Sequence, residues 1–205
     1  MSAKELLRRI WKFVWEEDSL ASWLVNVVLA FVIIKFLLYP GLGFVLGTGA
    51  PIVAVVSGSM EHSGNFDAFW SDPICCNAGC SEKRAQGNFY EAQNISKDEF
   101  RGFSFVNGFN KGDIMVLYSP KNAEKGDVIV YVTSTRPDPI IHRVIDVRNE
   151  AGGRVFTTKG DNNCDVGSFE KSIPEERVLG KAVWRVPYLG WVKIVAVLFI
   201  QGLVG

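Results

Sequence analysis

The stretch that decides the fold is Gly126–Val147, GDVIVYVTSTRPDPIIHRVIDV. A Gly-Asp turn leads into the β-branched run VIVYV (128–132), and a second run, IIHRVIDV (140–147), follows after two prolines. Short Val- and Ile-rich runs bounded by Gly, Asp and Pro read as strands. Working outward, the same pattern recurs in IVAVV (52–56), IMVLY (114–118) after Gly112-Asp113, VFTTK (155–159) and VLGKAVWRV (178–186). Strand–helix alternation of the doubly wound type, GxGxxG and a phosphate loop are all missing. The expected fold class is mainly β, an irregular antiparallel β-barrel or sandwich of short strands.

Outside this domain the chain changes character. LASWLVNVVLAFVIIKFLLY, Leu20 to Tyr39, has roughly the 20 apolar residues that cross a bilayer as a helix. It has no polar face, so a buried core helix is disfavoured, and it is too long for a cleavable signal core. Lys35 lies near one end, within snorkelling reach of headgroups, and Pro40 is expected to stop the helix. Lys4, Arg8, Arg9 and Lys12 precede the run and keep residues 1–19 cytoplasmic by the positive-inside rule. In that flank, ELLRRIWKFVW spaces apolar residues helically, as in a helix lying on a membrane surface. The tail PYLGWVKIVAVLFIQGLVG, 187–205, is a second apolar membrane segment, long enough to dip or barely span. The expected organisation is a cytoplasmic flank (1–19), a transmembrane anchor (20–40), an extracytoplasmic domain (47–186) and the apolar tail. The expected location is the cell membrane.

Lys plus Arg and Asp plus Glu both number 22, so charge gives no footprint for a nucleic acid. Residues 61–110 carry little strand pattern and read as an inserted lobe. Its Cys75, Cys76 and Cys80 face an oxidising space in this orientation, with Cys164 further on. At least one disulfide is expected, joining Cys80 to Cys75 or Cys76, because a bridge between the adjacent pair would be strained. Four cysteines without a nearby histidine pair make a poor zinc site, and no metal or organic cofactor is expected. Asn94-Ile95-Ser96 is a glycosylation acceptor triplet of small weight.

Three stretches carry candidate chemistry. Ser57-Gly58-Ser59-Met60 follows the strand IVAVV, where a serine beside glycine can point into a cleft. His142 interrupts the apolar strand IIHRVI; the other histidine, His62, is only three residues from Ser59. Thr158-Lys159-Gly160-Asp161-Asn162-Asn163-Cys164-Asp165 ends a strand in an Asx-type turn, with two carboxylates that can orient a histidine.

In that order the stretches resemble the type I signal peptidases. VVSGSMEH resembles the nucleophile box, commonly SGSMEP; KGDIMVLY and KGDVIVYV resemble the Gly-Asp strand; IIHRVI resembles the base box of the archaeal and endoplasmic-reticulum branch, where bacterial members have lysine. TKGDNN resembles the last box, and VPYLGWV the exit into an apolar tail. His62 stands where the family usually has proline, and the span from Ser59 to Gly112 is longer than in the endoplasmic-reticulum enzymes.

The resemblance implies a membrane-anchored serine endopeptidase that removes signal peptides from preproteins at the lipid bilayer, alongside the export machinery. Ser59 is the implied nucleophile and His142 the general base, with the Ser57 hydroxyl and the Ser59 N–H as oxyanion donors. The family's later acid, five or six residues after the Gly-Asp-Asn aspartate, usually partners the histidine. Here Asp165 comes four after Asp161, and is favoured because Asp161 is expected to cap its own turn. Two other readings stay open: a Ser-Lys self-cleaving protease with Lys159 as base, and a catalytically silent anchored β module that binds exported proteins.

Overall fold

A computed structural model describes residues 2–134, 136, 138–192, 194–195 and 199. It divides into two compact units, one up to Val45 and one from Leu46 onward. Most of the apolar tail expected at 187–205 lies outside the described residues.

The first unit begins with the helix Ala3–Trp15. A reciprocal capping box starts it: the Ser2 side chain accepts from the Glu5 N–H, and the Glu5 carboxylate accepts from the Ser2 N–H. A continuous helical stretch, Leu20–Leu46, follows; at 27 residues with 6% of its most apolar window buried, it is long and apolar enough to cross a membrane. Pro40 does not end it. The turn Ile34–Leu38 just before is π-helical, and the Tyr39 N–H reaches back to Ile34 O. Proline lacks an N–H and crowds the carbonyl four residues back; the wider π turn relieves that crowding and lets the helix continue.

The second unit is built on one antiparallel sheet of seven strands and a small hairpin. In chain order the strands are β1 (Ile52–Ala54), β2 (Pro73–Cys75), β3 (Lys83–Ala85), β4 (Ile114–Tyr118), β5 (Val128–Tyr131), β6 (Ile140–Glu150), β7 (Gly153–Lys159), β8 (Ile173–Pro174) and β9 (Val178–Val186). The large sheet runs β1-β4-β9-β5-β6-β7-β8, and β2 pairs with β3. Register shifts at Val116/Leu117, Val130/Tyr131 and Val144/Asp146 bend the strands and curl the sheet into a half-barrel. Its concave packing buries Met60, Met115, Leu117, Val128 and Val130; a second cluster around Tyr131, Val144 and Phe156 continues it.

Residues 61–110, which carry little strand pattern, are more ordered than their sequence suggests. Three short helices, Phe66–Ser71, Gln86–Ala92 and Lys97–Arg101, pack an aromatic core of Phe69, Trp70, Tyr90 and Phe100 against Ile145 of β6. Cys75 bonds to Cys80 across the β2–β3 hairpin, one of the two expected pairings. Cys76 bonds to Cys164, with Cα atoms 5.5 Å apart, and so ties the lobe to the loop after β7.

Candidate active site

The site forms where three segments distant in sequence converge. Ser59 sits on the loop after β1, at the sheet edge. His142 is the third residue of β6, opposite Ile129 of β5, which fixes its direction by the alternation of the strand. The loop after β7 supplies the rest. Its Asn162 N–H donates to Ser59 O at 2.8 Å, and the Asn162 side-chain amide donates to Gly58 O at 3.1 Å. The Gly-Asp-Asn turn thus clamps the serine loop by its backbone. Gly160 permits the approach: a Cβ there would lie 2.8 Å from His142 Nε2.

The sequence reading paired Ser59 with His142, and the structure brings them together. Ser59 Oγ lies 2.9 Å from His142 Nε2. Ser57 Oγ lies 3.2 Å from Ser59 Oγ. A cleft of about 520 Å³ opens over these side chains, lined also by Val56, Ile140, Asn163 and Phe169, with Arg136 and Asp138 at its rim.

The expected acids stand elsewhere. Asp165 is exposed and paired to Arg84 Nη1 at 2.7 Å, at the lobe surface. Asp161 is fully buried, and its carboxylate is taken up by groups other than His142. It accepts from Arg143 Nε and Nη2 (2.9 and 2.7 Å), from Tyr90 OH (2.8 Å), and meets His62 Nε2 (2.8 Å). The premise that Asp161 is occupied holds, but its partners are distant side chains and not its own turn. The carboxylate at His142 is Glu170, whose Oε1 makes a short hydrogen bond with Nδ1. The other oxygen of Glu170 accepts from the Gly167 N–H at 2.6 Å. Glu170 ends the short 3-10 turn Ser168–Glu170 and is 1% exposed. It lies nine residues past Asp161 and five past Asp165, beyond the spacing considered. The one available signal was an acid at the end of a Val-Gly-Ser-Phe stretch that otherwise offers no charge.

Beneath the site lies a buried polar cluster. Burial would raise the Asp161 carboxyl, but the Arg143 guanidinium, with the hydrogen bonds from His62 and Arg143, outweighs it; the group lies well below the usual carboxylate range. Tyr90 is pushed well above its ordinary value, first by burial and then by the charge of Asp161. Arg143 spends its remaining donors on Ser104 O, Gly126 O and Phe105 O, so the guanidinium stitches the lobe to the turn before β5. Lys159 is also buried. Its Nζ donates to Gln86 Oε1 at 2.6 Å and to the carbonyls of Gly160 and Asp161. Burial pushes its ammonium down to about 7. Its donors face the lobe, whereas the nitrogen base within reach of Ser59 Oγ is His142, which argues against Lys159 as base. Among the described residues no cluster of metal-ligating side chains is found.

A hydroxyl that meets an imidazole, whose other nitrogen meets a buried carboxylate, is an arrangement suited to nucleophilic acyl transfer. Comparison with known proteins points the same way. No family model matches the chain. The signal peptidase complex catalytic subunit of Schizosaccharomyces pombe is 33% identical over 162 residues, which cover 76% of this chain and 72% of that protein. The corresponding subunit of Scheffersomyces stipitis is 27% identical over 180 residues, covering 83% and 81%. That of Plasmodium falciparum is 34% identical over 93 residues, covering 42% of this chain and 50% of that protein. The architecture and the relatives together define a hydrolase of the type I signal peptidase class. Within that class, the chain belongs to the family of signal peptidase complex catalytic subunits, the endoplasmic-reticulum-like branch.

Proposed function

We propose that this chain is a membrane-anchored serine endopeptidase that removes signal peptides from preproteins, with Ser59, His142 and Glu170 as its catalytic unit. The observation that carries the reading is the hydrogen-bonded line from Ser59 Oγ through the His142 ring to Glu170. Ser59 Oγ attacks the scissile carbonyl; Nε2 of His142 takes the proton and returns it to the leaving amine. Glu170 holds the Nδ1–H tautomer and stabilises the imidazolium that forms. The tetrahedral oxyanion takes hydrogen bonds from the Ser59 N–H and from the Ser57 hydroxyl, a donor worth on the order of 3 kcal/mol.

The substrate enters extended along β1, the edge strand of the sheet among the described residues, and pairs with it as an added strand. Small side chains of the substrate fit the shallow cleft beside Val56 and Ile140. The apolar helix Leu20–Leu46 serves as the anchor, and residues 47–186 work on the non-cytoplasmic face, in keeping with two disulfides there. The relatives are named as subunits of a signal peptidase complex, and this chain fills the catalytic place in an equivalent membrane assembly.

The test is cleavage of a model preprotein by the purified chain in detergent, beside Ser59→Ala and Ser57→Ala. The account predicts no turnover for Ser59→Ala and a reduced rate, about a hundredfold or more below wild type, for Ser57→Ala. Full activity in Ser59→Ala rejects it.

A further inference from the structure

We propose that the helix Ala3–Trp15 is an interfacial element that lies flat on the cytoplasmic leaflet, its apolar face in the acyl boundary and its basic face on anionic lipid headgroups. The inference rests on the anchor reading of Leu20–Leu46.

Its first support is the wheel. Leu6, Leu7, Ile10, Trp11 and Val14 follow the three- and four-residue spacing of one helical face. Lys4, Arg8 and Lys12, each four apart, and Arg9 run down the other, with Glu5 as the single acid in the helix. A helix that is half apolar and half basic fits the boundary of a membrane better than it fits water or a protein core.

Its second support is that, among the described residues, the apolar face is left largely uncovered, only Val14 at its C-terminal end being half-buried. No residue of the helix is buried; Leu7 is 66% and Trp11 62% exposed. Such a contiguous apolar strip calls for a partner, and the interleaved basic side chains select a negatively charged one.

The third support is the elbow. Ser22 Oγ donates to Phe13 O at 2.6 Å, and Asn26 Nδ2 donates to Val14 O at 2.9 Å. These bonds satisfy carbonyls that the end of the helix would leave open. They also account for Asn26, which with Lys35 is one of the two strongly polar members of the expected span, since an unpaired amide in hydrocarbon is costly. Asn26 is six residues past Leu20, about 9 Å along a helix axis. The C-terminal end of Ala3–Trp15 is therefore held about as deep as interfacial helices sit, roughly 5–10 Å. The hinge residues Glu16, Glu17 and Asp18 carry their charges in the exposed turn, away from the strip.

The experiment uses the full chain reconstituted in phosphatidylcholine vesicles with and without phosphatidylglycerol. An environment-sensitive fluorophore is placed in turn at Ile10→Cys, Arg8→Cys and Val32→Cys. The proposal predicts that the Ile10 probe is quenched by shallow spin-labelled lipid and shielded from aqueous iodide, while the Arg8 probe is reached by iodide. In anionic vesicles, Lys12→Gln lowers the docked-to-undocked ratio about fivefold, the effect of one basic residue near a charged leaflet; in neutral vesicles it does not. An Ile10 probe as open to iodide as Arg8, with Val32 deep in the bilayer, overturns the proposal while leaving the anchor intact, and assigns the face to a protein partner. A Val32 probe open to iodide sinks the anchor reading itself. A Lys12→Gln ratio unchanged in anionic vesicles overturns the headgroup assignment.

Discussion

The second unit contains two histidine–carboxylate pairs, and they sit in opposite surroundings. His142 meets Glu170 through Nδ1 and turns Nε2 to the Ser59 hydroxyl at the floor of an open cleft. His62 meets Asp161 through Nε2, stacks flat on Phe69 with ring centroids 3.6 Å apart, and its buried Nδ1 has no hydrogen-bond partner among the described residues. The pair chemistry is the same in both. What differs is the far side of the ring: a serine hydroxyl and an open cleft in one, a phenyl face and closed packing in the other. A carboxylate beside a histidine is thus not enough to mark an active site, and the most conspicuous acid of the sequence, Asp161, turns out to anchor the buried Arg143.

The comparison breaks most sharply at the two rings. His142→Ala should lower turnover by more than about ten-thousandfold with the fold intact. His62→Ala should leave the rate per folded molecule within about tenfold and act on melting instead, by the few kcal/mol that follow loss of a buried hydrogen bond and packing. Preprotein cleavage and thermal unfolding of both variants decide it; a silent His142→Ala would exchange their roles.

Asp161→Asn comes next, and its effect is on stability. It leaves the Arg143 guanidinium buried without its counter-charge, which costs about 3–5 kcal/mol. Urea unfolding reads that loss; an unshifted midpoint would mean that Arg143 finds another partner.

A smaller effect belongs to Lys159. Its folded value is about 7, below the ordinary 10.5. Between these values the unfolded chain binds more protons than the folded one, so stability contributed by this group rises with pH from about 7 towards 10. Lys159→Met should flatten that rise in a series of unfolding curves. An identical slope in the variant would show that the ammonium is not the source.

Least of all, Asp165→Asn should change melting and rate little. Its pair with Arg84 is surface-exposed, and such pairs contribute about 0–1 kcal/mol. A large rate loss there would return Asp165 to the catalytic unit.

Much of this molecule was legible from its sequence. The runs at 114–118 and 178–186 became strands with those same ends, because half-buried β-branched residues between Gly, Asp and Pro have few other solutions. Strands β2, β3 and β8, of two or three residues, are too short to impose a period. Ser59 and His142 were legible because SGSM and IIHRVI, in that order, resemble the boxes of one family; His142 lies within β6, whereas Ser59 lies on the loop after β1. Glu170 was not, since a loop of irregular length separates it from Lys159, and closure of that loop depends on the Cys76–Cys164 bond and the Gly167 N–H, both set by tertiary structure. The continuation past Pro40 was missed because a π turn leaves no mark in hydropathy.

The central claim is that Glu170 is the carboxylate that orients the catalytic histidine, and the direct measurement is preprotein cleavage and melting for Glu170→Gln. Glutamine keeps the shape but no longer holds the Nδ1–H tautomer or balances the imidazolium. The account predicts turnover down by on the order of ten-thousandfold, with melting lowered far less than in Asp161→Asn. Turnover close to wild type in folded Glu170→Gln would contradict it and leave His142 without the partner assigned here.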